Sequence, residues 1–137
     1  MLSKENIMQT IQFIPCESGA SGTSRQGQIK ASYNDLVRMF GKPAFEGIGD
    51  KITTEFIIEY QVNDSEGESK YGTFTLYDWY FARNLNNDYE KTFWNVGGNN
   101  YEDSFAADLS LKLFEETDDS LVYAKLHELE YEDTFIL

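Results

Sequence analysis

Tyr71-Gly72-Thr73-Phe74-Thr75-Leu76-Tyr77-Asp78-Trp79-Tyr80-Phe81 is the stretch around which the chain is organised. Its β-branched and aromatic residues predict a central strand, and rings of that size need cover on both sides. Upstream, Lys51 to Val62 alternates, with Ile52, Thr54, Phe56, Ile58, Tyr60 and Val62 on one face and Thr53, Glu55, Glu59 and Gln61 on the other. That pattern predicts an antiparallel strand with one covered and one wetter face. The polar run Asn63 to Lys70 reads as the hairpin turn between the two. Downstream, Asn84 to Glu90 reads as a second turn and Lys91 to Val96 as a further strand carrying Phe93 and Trp94.

Helical periodicity appears twice. Ser32 with Asp35 three residues on forms a variant capping box, and Tyr33, Leu36, Val37 and Phe40 then share one helical face. Gly41 and Pro43 end that helix. Gly97-Gly98-Asn99-Asn100 reads as a tight turn with Asn100 as N-cap, after which Tyr101, Phe105, Leu109 and Leu113 mark a second amphipathic helix to about Glu115. Met8 to Pro15 reads as an edge strand, Cys16 to Gly27 as a Gly/Ser-rich loop, and Gln28 to Ala31 as a short strand. Leu121 to Leu137 permits a third helix or an arm that packs on a second subunit. The expectation is an α+β fold: an antiparallel sheet of four or five strands, two amphipathic helices on one face, and an acidic C-terminal extension.

At 137 residues the chain holds a single domain, with its core expected over about 8–116 and residues 117–137 as acidic tail or oligomerisation arm. Ten Phe and nine Tyr make a core of rings. The formal net charge is −13, and eight acids against Lys125 fall after residue 114. Such a surface repels phosphate and attracts basic proteins, which argues against broad nucleic-acid binding. One Cys and one His exclude an intrachain disulfide and a Cys/His zinc site. No window approaches the ~18 apolar residues of a membrane span, so a cytoplasmic location is expected.

Five ordered pieces carry a resemblance: Gln28-Ile-Lys-Ala-Ser-Tyr33; Leu36-Val37 with Phe40-Gly-Lys-Pro43; Thr54-Glu-Phe56; Thr75-Leu-Tyr-Asp-Trp79; and Trp94-Asn-Val-Gly-Gly98. Together they resemble a family of small uncharacterised tailed-phage proteins. The resemblance implies a phage origin and an accessory role in the cytoplasm of an infected host, and it carries no chemistry. The segment before Gln28 and the acidic stretch after Glu115 depart from it.

Candidate sites each have a plain alternative. The Gly/Ser loop with Arg25 can cradle a phosphate, or be only a surface loop; no Walker loop is present. Gly97, Gly98 and Asn99 before the second helix can hold an anion, or only make the turn. Asp78, between Tyr77 and Trp79, can read a base edge while a ring stacks, or bond a backbone N–H or Arg83. Trp79 and Trp94 supply further stacking surfaces. Catalysis is not expected: His127 sits among Leu126, Glu128 and Leu129, and Glu55 and Glu59 stand ~13 Å apart along a strand. Asp118-Asp119 lacks the spacing of a calcium loop, and neither metal nor cofactor is expected.

Two function classes follow. The first is a phage-encoded protein that counters host defence by sequestering a small cyclic nucleotide, gripped by Arg25, Tyr77, Asp78, Trp79, Arg83, Trp94, Gly97, Gly98 and Asn99 across a homo-oligomer, dimer or higher. The second is an acidic inhibitor that imitates nucleic acid and occupies the basic groove of a host defence or transcription protein.

Overall fold

Residues 71–77 of the aromatic stretch lie in an inner strand of the sheet, and residues 79–81 lie outside the described residues. A computed structural model of the chain describes residues 8–18, 22–47, 52–78, 85–117 and 122–137. The strands are β1 (Gln9–Cys16), β2 (Ser24–Ala31), β3 (Phe45–Glu46), β4 (Thr54–Asp64), β5 (Ser69–Tyr77), β6 (Thr92–Gly98) and β7 (His127–Glu128). The helices are α1 (Tyr33–Phe40) and α2 (Tyr101–Thr117). Strand order is β2-β6-β5-β4-β1-β7, with β3 paired to β4 beyond the end of β1, and every pairing is antiparallel. The α+β class stands, with seven strands among the described residues in place of four or five.

Register explains the core. Ile11 pairs with Val62, Phe13 with Tyr60, Ile58 with Phe74, Phe56 with Leu76, Leu76 with Val96, and Ile29 with Trp94. All of these are buried and belong to one cluster, so they define the inner face. Both helices cover this face. Phe40 of α1 meets Phe13 and Phe74 edge-on at 6.3 and 6.1 Å. The Tyr60 hydroxyl donates to Asp103 Oδ1 of α2 at 2.6 Å.

Helix α1 is what its sequence predicts. Asp35 N–H donates to Ser32 Oγ, and Ser32 N–H donates back to Asp35 Oδ2. Burial pushes the Asp35 carboxyl up, but the Ser32 amide and Lys91 outweigh it and hold it below its usual value. Gly41 takes a φ of 80° and closes the helix through its N–H to Val37 O. Helix α2 starts as expected, with Asp103 N–H donating to Asn100 Oδ1. Its inward face, however, is Asp103, Ser104, Ala106, Ala107, Leu109, Ser110 and Phe114, while Tyr101 is 77% exposed. Small residues face inward because the helix lies close upon the sheet. A Cβ on Gly27 would come within 2.6 Å of Ser104 Oγ, and one on Gly98 within 2.6 Å of Asp103 Cβ.

Several expectations are corrected. Strand β2 begins at Ser24, so pairing with β6 takes up part of the expected Gly/Ser loop. Strand β1 is an edge only in part, since β7 pairs with it at Thr10 and Ile11. Residues 122–137 are not a free acidic extension but pack on their own sheet. They run through a 3-10 turn (Val122–Ala124), β7 and a second 3-10 turn (Tyr131–Asp133), and Val122, Leu129 and Phe135 join the core. No third helix forms there, because the segment is held by contacts distant in sequence. The Gly97-Gly98 turn is the paired end of β6.

Candidate functional site

Of the expected site residues, four make contacts that hold the fold. Trp94 is fully buried, donates its indole N–H to Ala31 O at 3.0 Å, and packs edge-on against Phe56. Gly98 gives Asp103 its space, and Asn99 N–H donates to Asp103 Oδ2 at 2.7 Å. Asp78 is fully buried and accepts from the N–H groups of Thr53 and Thr54, at 2.8 and 2.9 Å, and from the Thr53 hydroxyl. Its carboxylate thus ties the end of β5 to the start of β4, which is the backbone role foreseen as its alternative. Trp79 and Arg83 lie outside the described residues.

The other three converge on the outer face of the sheet. Arg25 pairs with Gly97, Gly97 with Thr75, and Thr75 with Ile57 in one row. In the next row Gln28 pairs with Asn95, Asn95 with Tyr77, and Tyr77 with Glu55. Gly97 has no side chain because a Cβ would run into the Thr75 hydroxyl and reach 3.4 Å from Tyr77 Cε1. Burial pushes the Tyr77 phenol up, Arg25 pulls it back, and Glu55 adds to the rise. Glu55 is itself raised by burial. A cation and a carboxylate therefore flank the same ring.

The clefts lie elsewhere. One, of about 390 Å³, is lined by Tyr101, Phe105, Phe135 and Ile136 and by the acids Glu102 and Glu132. A second, of about 400 Å³, is lined by Phe135, Ile136 and Leu137 and by Asp64, Glu66 and Glu68. They share Thr134, Phe135 and Ile136, so this short segment forms a ridge between them. Ile136 is 85% exposed on it, whereas Phe135 is turned inward against Phe105 at 5.0 Å. Asp64 Oδ1 accepts from Glu66 and Glu68 N–H, which holds the β4–β5 turn in place. Glu102 pairs with Lys70, and Glu66, Glu68 and Glu132 stand exposed. No Lys or Arg is among the residues lining either cleft.

Two further hollows carry less chemistry. The 510 Å³ hollow beside Cys16, Lys42 and Tyr123 holds a thiol that burial, with Glu59 beside it, pushes up. A 270 Å³ hollow on the outer face is lined by Ile14, Glu59 and Tyr71. His127 is buried with Nε2 at 2.9 Å from Val122 O, which fixes the turn before β7. Among the described residues no three His, Cys, Asp or Glu side chains gather to hold a metal ion. Among them also, no helix is long and apolar enough to cross a membrane.

The acid-rimmed clefts were missed from sequence. Their signal was Phe135-Ile136-Leu137, an apolar run closing an otherwise acidic stretch, beside a Tyr101 assigned to the buried stripe. No protein-family model matches this chain, and neither do the curated proteins or the solved structures with which it was compared.

Proposed function

We propose that this chain is a non-catalytic binding protein that docks a basic protein partner on the ridge Thr134–Ile136, in the host-directed accessory role that the resemblance to small tailed-phage proteins implies. The observation that carries this is the pairing of exposed apolar groups, Ile136 and Tyr101, with the exposed acids Glu66, Glu68 and Glu132 around two adjoining clefts. Apolar contact provides affinity there, while the carboxylates steer and select cationic side chains. An arginine or lysine fits best, because its alkyl stem lies on rings while its head meets carboxylates. A net charge of −13 attracts such a partner at long range.

Fluorescence titration with Arg/Lys-rich peptides bearing one aliphatic anchor tests it, with an acidic peptide as control. Binding is expected to weaken steeply with salt. It should be lost in Ile136→Asp and in the combined Glu66→Lys, Glu68→Lys and Glu132→Lys variant. Salt-indifferent binding, or variants that bind as wild type, would sink this function.

A second function, sequestration of a small cyclic nucleotide, is favoured by the meeting of Arg25, Tyr77 and Gly97 on the outer face. Glu55 beside the same ring works against an anion there. A nucleotide panel that raises the melting temperature of wild type and not of Arg25→Ala supports it; no shift with any member removes it.

A further inference from the structure

We propose that the sheet face opposite the helices is a homodimer interface in which β2 of one copy lies across β4 of the other. An antiparallel sheet that leaves one face to water makes that face polar. This one presents Ile14, Tyr71 and Phe93, which are 39, 70 and 55% exposed, together with the half-buried Thr73 and Tyr77. Neither helix covers it, since both pack on the inner face.

Its charges select the occupant. Cations stand on β2: Arg25, and Lys30 with its ammonium 5.6 Å from the Phe93 ring centre. Carboxylates stand on β4: Glu55 and Glu59. The strands between carry only uncharged groups on this face: Phe93, Asn95 and Gly97 on β6, and Thr73, Thr75 and Tyr77 on β5. Among the described residues Arg25, Lys30, Glu55 and Glu59 form no ion pair with one another.

This pattern is self-complementary about a two-fold axis running along the β5–β6 seam. β2 and β4 lie three strand spacings apart, ~14 Å, and so about 7 Å to either side of that seam. The axis brings the second copy's β4 over the first copy's β2, at the ~10 Å separation of packed sheets. Arg25 shares a row with Ile57 of its own chain, so it stands over the other copy's buried Ile57, with that copy's half-buried Glu55 and exposed Glu59 on either side. The two-fold repeats the contact, as isologous interfaces require. An axis across the strands would instead set β2 on β2 and cation on cation. Neutral side chains along the seam keep like charges from meeting where the copies are in register.

Sedimentation and light scattering across a concentration series test it, using Arg25→Glu and Glu59→Arg singly and mixed. Wild type is expected to dimerise, and each single variant to weaken association at least ~10-fold, since like charges then face each other. Mixing the two variants restores association to within about threefold of wild type, as a 1:1 heterodimer. Each contact between residues 25 and 59 in that heterodimer again joins an arginine to a glutamate, and a folding defect cannot produce this rescue. A wild-type monomer up to about 100 µM overturns the proposal. So do dimers indifferent to both substitutions, or single variants whose mixture fails to associate.

Discussion

Gln9 and Phe135, 126 residues apart in the chain, hold each other by two hydrogen bonds: Gln9 Nε2 donates to Phe135 O, and Phe135 N–H donates to Gln9 Oε1, both at 2.8 Å. One amide side chain thus imitates a strand partner and pins the closing segment to β1. The Phe135 ring then enters the core between Phe105 and Tyr60, at 5.0 and 5.9 Å. The ridge that we propose as a docking surface stands on this contact.

Replacing Gln9 with Leu leaves the Phe135 amide and carbonyl without partners at a buried position, which should cost about 2 kcal/mol. Phe135→Ala should cost about 3 to 5 kcal/mol, because it opens a cavity among rings. Urea denaturation measures both. If residues 122–137 were merely appended, neither substitution would move the midpoint.

The Tyr60–Asp103 bond predicts a dependence on pH. Burial, with the carboxylates of Asp103 and Glu102 nearby, holds the Tyr60 phenol well above its ordinary value of 10. The unfolded chain therefore releases that proton first. The contribution is complete below pH 10 and declines as pH climbs beyond it, by up to about 1.4 kcal/mol per unit. Tyr60→Phe should be less stable at pH 7 by about 1 to 3 kcal/mol, and the gap to wild type should narrow above pH 10. A gap that is the same at pH 8 and pH 11 would show that the phenol is not so held.

Gly98→Ala should destabilise the protein by about 1 to 3 kcal/mol, since its methyl overlaps Asp103 Cβ and pushes α2 off the sheet. Gly67, at a φ of 88° with open space around it, provides the comparison. Gly67→Ala meets only backbone strain and should cost about 1 kcal/mol. Equal effects in thermal melts would mean that α2 is not closely seated.

Asp78→Ala removes the acceptor for two backbone N–H groups and one hydroxyl in a fully buried spot. The cost should exceed about 3 kcal/mol. Binding of basic peptides by the folded fraction should be unchanged, as Asp78 lines neither cleft. Loss of binding at full stability would instead place Asp78 in the site.

How much was legible follows from the range of the forces involved. Helix α1 was readable because Ser32, Asp35 and Gly41 act on backbone within a turn of themselves. Of the stripe on α2, Ala106 and Leu109 are buried and Phe105 and Leu113 pack against the core, but Tyr101 was misassigned, because apolar spacing alone does not say how near the sheet is. Contact over Gly27 and Gly98 required Ala106, Ala107 and Ser110 inward and left Tyr101 outside. Trp94 looked available for stacking, since a ring in a strand serves either face equally well. Its pairing with Ile29 put it inside. Tyr77 and Arg25 come onto one face of the sheet through a β2 longer than expected.

The sequence by itself determined the kinds and order of the main elements, β1, β2, α1, β4, β5, β6 and α2, and which residues share a side of each strand, because capping, turn chemistry and two-residue alternation act between near neighbours. Only the tertiary structure decided which side is covered, where residues 122–137 dock, and that cations and carboxylates divide across the outer face. Those outcomes rest on register and on contacts such as Gln9 with Phe135, whose partners meet only after the intervening chain has folded.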